Sequence, residues 1–72
     1  MLFGTWLKTQ RHRDSPIGDL SRDFLQSIEM LGQKPSQFTT PAKFKKEHLK
    51  GCTWDKVLFA FEDAVTEYKE FK

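Results

Sequence analysis

The sequence predicts an all-α protein, a small four-helix bundle, on the strength of three observations. Apolar residues recur at three- and four-residue steps in four separate stretches. Ser15-Pro16 and Thr40-Pro41 each set a capping hydroxyl before a proline, the arrangement that opens helices. No stretch shows the strict alternation of a half-buried strand.

The first helix is expected over residues 3–11, where Phe3, Trp6 and Leu7 share one face and Gln10 continues the spacing. A charged connection, Arg11-His12-Arg13-Asp14, leads to the second helix over residues 16–31. Asp14 or Ser15 can cap it, Pro16 suits its first position, and Asp19 suits its positive end. Its apolar face is Ile17, Leu20, Phe24, Ile28 and Leu31; Gly32 falls just past its end and Pro35 forbids continuation. Gly18 costs helix stability relative to alanine, so it is expected to mark close packing, with the first helix as the natural neighbour.

Residues 33–40 are polar apart from Phe38. The third helix, over residues 41–50, turns Phe44 and Leu49 inward, carries Lys43, Lys45, Lys46, His48 and Lys50 elsewhere, and can close at Gly51. The fourth and longest helix is expected over residues 53–70, capped by Thr53, with Trp54, Val57, Leu58, Phe61, Ala64, Val65 and Tyr68 as its apolar repeat. Asp55 in its first turn, and Lys69 and Lys72 near its end, suit the helix dipole.

The length of 72 residues predicts one domain over residues 1–72, too small for a deep enzymatic cleft. Seven Phe, two Trp and one Tyr supply enough large apolar surface for a core. Trp6, Leu20, Phe24, Phe61 and Val65 are expected to be buried together, and Trp54 also reads as core. Phe3, Phe38 and Phe71 are less securely placed, and one of them has room to stand exposed near an end of the bundle. The single cysteine, Cys52, excludes an internal disulfide framework and favours a reducing compartment. No basic n-region precedes an apolar stretch at the start, and the longest apolar run, Val57 to Phe61, is far short of the roughly 20 residues a membrane helix needs. A cytoplasmic protein is expected.

The chain resembles the YozE-like proteins, small bacterial domains. The resemblance spans nearly the whole chain through Trp6-Leu7, Arg13-Asp14, Ile17-Gly18-Asp19-Leu20, Asp23, Phe44, Leu49, Phe61, Ala64 and Tyr68. It implies a four-helix architecture like the sterile alpha motif fold and no catalytic residue. Where that pattern often has an acid, an alanine and an aromatic, this chain has Ser15, Ser21 and His48.

No constellation for catalysis or metal binding stands out, so the expected protein is not an enzyme and takes no cofactor. His48, Cys52 and His12 give at most three ligands where structural zinc usually needs four. Cys52 reads as a small packed residue at a turn. Asp19 and Asp23 lie four residues apart on one helical face, but acid–base work needs a pocket that shifts their proton affinity. Surface pairing of Asp14, Asp19 and Asp23 with Arg13 and Arg22 is the simpler role.

Charge gives the functional lead. Residues 37–51 carry four basic groups and one acidic, whereas residues 52–72 carry three and five, within a net charge of only +2. The third helix is basic and the fourth acidic. This pattern predicts an interaction module that binds another protein, or weakly itself, through complementary patches. The alternative is weak nucleic-acid binding through Lys43, Lys45, Lys46 and Lys50, joined by Lys8, Arg11 and Arg13 if the fold brings the first helix alongside. The acidic last helix argues against that alternative.

Overall fold

Both proline-led caps form. Ser15 Oγ accepts the Gly18 N–H at 3.4 Å and Thr40 Oγ1 accepts the Lys43 N–H at 3.2 Å, so each hydroxyl satisfies a donor that its first turn leaves without a partner. The computed structural model describes residues 1–71. It contains α1 (Phe3–Lys8), α2 (Pro16–Leu31), a 3-10 turn (Pro35–Gln37), α3 (Pro41–His48) and α4 (Asp55–Phe71). No strand occurs among the described residues, and the fold is all-α. The expected role of Lys72 lies outside the described residues.

Each boundary that departs from expectation has a local cause. α1 ends at Lys8 because the N–H groups of Thr9, Gln10 and Arg11 bond three residues back, tightening the chain into successive turns. α2 ends as predicted: Gly32 adopts φ +71° and the Gln33 N–H returns to the Ile28 carbonyl at 2.8 Å. α3 stops at His48, since Leu49 leaves the helical region. α4 begins at Asp55, its first helical bond running from the Leu58 N–H to the Trp54 carbonyl at 3.0 Å, so Thr53, the expected cap, lies one residue too early to cap it.

The core is one cluster built around aromatic rings. Phe44 lies at its middle, 5.3 Å from Phe3, 5.0 Å from Phe24 and stacked on Phe61 at 5.6 Å, centroid to centroid. Trp6, Leu20, Phe24 and Phe61 are all buried in this cluster, whereas Val65 is half-buried against it. Phe3 and Phe38 are also buried, and Phe71 is the one of the three less securely placed phenylalanines that stands exposed.

Three expectations are corrected. Trp54 is 74% exposed, because it precedes the first turn of α4 and so never joins that helix's inner face. Leu31 is exposed at the last position of α2, beyond the neighbours that cover Ile28. Gly18 does mark a close approach, but the neighbour is the backbone of Arg13: a Cβ on Gly18 would overlap the Arg13 carbonyl oxygen.

α1 docks through its own orphan donors. The Phe3 N–H reaches the Thr39 carbonyl and the Gly4 N–H reaches the Phe38 carbonyl, at 3.2 and 2.8 Å, tying the helix start to the segment after the 3-10 turn. Buried Ser21 of α2 donates its hydroxyl to the Leu7 carbonyl at 2.6 Å, and Tyr68 of α4 donates to the Met1 carbonyl. α2 and α4 run antiparallel, since Arg13 at the entrance of α2 reaches Glu67 near the end of α4 while Asp23 lies near Trp54.

Candidate functional site

The early turns of α2 and α4 enclose an apolar groove of about 590 Å³. Leu20, Val57 and Ala60 contribute its apolar lining, and the exposed rings of Trp54 and Phe59 stand beside them. Two large aromatics left 74% and 64% exposed are the main apolar feature of this surface. The lining also carries Asp19, Asp23 and Asp63 against the single base Lys56. Asp19 is paired with Arg22, whose guanidinium also donates to the Arg11 and Arg13 carbonyls at 2.8 and 3.1 Å. Asp63 forms no ion pair among the described residues.

The lysines singled out from the sequence occupy a different surface. Lys45, Lys46 and Lys50 border an open concavity of about 880 Å³ at the end of α3, with Gln33, Leu49 and Cys52, and Lys43 and Lys46 line a smaller one of about 420 Å³. All four lysines are exposed and none forms an ion pair among the described residues. Arg13 turns to α4 instead: its guanidinium forks onto Glu67 at 2.7 and 3.2 Å, and that bond raises its already high proton affinity. Arg11 donates to the Lys8 carbonyl at 3.4 Å, and its own carbonyl is held by Arg22 of α2. The contacts of both arginines thus run to α1, α2 and α4, while the four lysines stay together on and just after α3.

His48 belongs to the packing of the core. Its ring meets Phe24 edge-on at 5.4 Å and Phe44 at 5.0 Å. Burial pushes its pKa below the ordinary 6.5, and the Asp23 carboxylate, 3.9 Å from Nε2, partly opposes that shift. Asp19 and Asp23 have side chains 76% exposed, which is not the desolvated setting that acid–base catalysis uses. Among the described residues no group of three or more His, Cys, Asp or Glu side chains converges as a metal site would require.

Lys56, Phe59, Ala60 and Asp63 are groove residues the sequence reading did not single out, and Trp54 is one it placed wrongly in the core. A signal for Phe59 was present: it falls between Val57 and Phe61, off the apolar stripe, where a large ring has no core to enter. Comparison of the chain with protein-family models, with curated proteins and with solved structures gives no match.

Proposed function

We propose that this chain is a non-enzymatic interaction module whose partner is another protein, or weakly a second copy of itself, engaged through separate basic and acidic faces. The observation that carries this reading is the exposure of Trp54 and Phe59 over a groove bearing Asp19, Asp23 and Asp63. Tryptophan and other large aromatics are the residues that anchor protein interfaces. The basic face, Lys43, Lys45, Lys46 and Lys50, lies apart, on and just after α3. The resemblance to YozE-like proteins and to the sterile alpha motif fold stays part of this proposal; domains of that shape often serve as interaction modules, which is inference by analogy.

Nucleic-acid binding is the rival, favoured by four exposed, unpaired lysines. The two readings separate in one titration of the protein with short duplex and single-stranded DNA at about 50 mM and about 200 mM salt, because several phosphate contacts make affinity fall by orders of magnitude over that range. The expected result is only weak association at the lower salt. A submicromolar complex lost on changing Lys43, Lys45, Lys46 and Lys50 to glutamate would overturn the protein-binding reading.

A further inference from the structure

The geometry points to a defined occupant for the groove between α2 and α4: a basic amphipathic helix of a partner protein, with apolar anchors flanked by lysine or arginine. This inference rests on the protein-binding reading above and supplies its site and the chemistry of its partner.

The shape of the groove sets the apolar half of that description. Leu20, Val57 and Ala60 offer an apolar lining beside the rings of Trp54 and Phe59, so an occupant needs side chains that exchange water for hydrocarbon along one face. Charge sets the other half. Asp19 is already held by Arg22, but Asp23 and Asp63 against the single Lys56 still leave the lining anionic, which favours a cationic partner and disfavours phosphate or acidic peptide. Asp23 on α2 and Asp63 on α4 stand on opposite walls of the groove, so cations on either flank of a docked helix's apolar face can meet one carboxylate each.

The chain's own basic helix lacks half of what this site requires. α3 has turned Phe44 and Leu49 inward, where they are 0% and 8% exposed, so in a second copy it would bring charge without an apolar anchor. A partner carrying both on one helix fits the groove better than a second copy presenting α3.

Three synthetic peptides of about 18 residues provide the probe: a Leu/Lys helix with leucines at i, i+3, i+4 and i+7, its Glu-for-Lys counterpart, and a scramble of the first that destroys the apolar face. Each is titrated into isotope-labelled full-length protein and followed by amide and indole resonances. The Leu/Lys helix is expected to move the signals of Leu20, Val57, Phe59 and the Trp54 indole, and to bind at least about tenfold more tightly than either control. Trp54→Ala is expected to weaken it about 30-fold, with Phe59→Ala as an independent second truncation, since an apolar anchor in an interface centre contributes on that scale. Changing Asp23 and Asp63 together to asparagine is expected to weaken it by about tenfold. Both aromatics are exposed, so the truncations leave the core intact.

Equal binding of the acidic and basic helices, shifts confined to α3, or no shift at about 1 mM peptide would overturn the inference. So would concentration-dependent shifts of Trp54 and Phe59 in the protein alone that the basic peptide does not displace, since the occupant would then be a second copy. Cross-links to host proteins mapped only to α3 would remove the groove assignment and leave the interaction-module reading standing, whereas the tight DNA complex described above would remove that reading.

Discussion

Phe59 and Phe61 sit two residues apart on α4 in opposite environments, one 64% exposed and the other 7%. Truncating Phe61 to alanine removes a ring stacked on Phe44 and is expected to cost about 3–5 kcal/mol, measured by urea unfolding. Truncating Phe59 is expected to change stability by no more than about 0.5 kcal/mol, because nothing in the core closes around it. His48 is a second residue whose environment decides its behaviour. Its pKa lies below 6.5 in the folded chain because burial penalises the imidazolium, so the unfolded chain holds more protons in the window just under that value. The stability this contributes is fully present above 6.5 and declines as pH falls toward the folded pKa. Thermal unfolding at about pH 7.5 and about pH 5.5 should show that loss in the wild type. His48→Phe, which keeps a ring between Phe24 and Phe44, should remove the part due to this group; an unchanged pH response in the variant would assign the effect elsewhere.

Among the elements, α2 shows how a helix start can be fixed by what precedes it. Ser15 caps the Gly18 N–H while the backbone of Arg13 folds back onto Gly18 itself. Alanine at position 18 would gain about 1 kcal/mol of helix propensity, yet its Cβ would meet a backbone carbonyl that has no flexible end to move. Gly18→Ala is therefore expected to destabilise by about 1–3 kcal/mol, the usual range for an overpacked site. A gain in melting temperature would show that the Arg13 connection can yield. α1 illustrates the opposite case, a six-residue helix too short to persist alone. Its first donors end on the Phe38 and Thr39 carbonyls and its Leu7 carbonyl accepts the Ser21 hydroxyl, so its neighbours hold it in place.

Across the described residues, a few charges of opposite sign pair with one another between neighbouring elements or along one helix. Arg13 and Glu67 join the entrance of α2 to the last turns of α4, with side chains 38% and 41% exposed. At that exposure solvent screens the pair, and Arg13→Ala with Glu67→Ala in a double-mutant cycle should give a coupling of about 1 kcal/mol or less that shrinks with added salt. The lysines of α3 are not used this way, and neither is Asp63. The result is a basic helix in one place and an anionic, aromatic groove in another. The same described residues include no helix long and apolar enough to cross a membrane.

The sequence by itself determined where α2 and α3 begin, because their caps are local: a hydroxyl, a proline and the next three N–H groups are all within one turn at Ser15 and at Thr40. It also determined that Trp6, Leu20, Phe24 and Phe61 go inside, since each lies on an apolar arc that has no other use. Tertiary structure decided which part of α4's apolar arc faces the core. Ala60 is buried there while Val65 stays half-exposed, a rotation that depends on what α2 presents and leaves no trace in the spacing. It decided that Phe3 and Phe38 are core, through rings supplied by three other elements. It sent Arg13 to Glu67, 54 residues away, a pairing that no local rule contains. Trp54 is the sharpest case for the candidate site. Counting back from Val57 places it on the inner face, but helical counting applies only where the backbone is helical, and α4 starts one residue later.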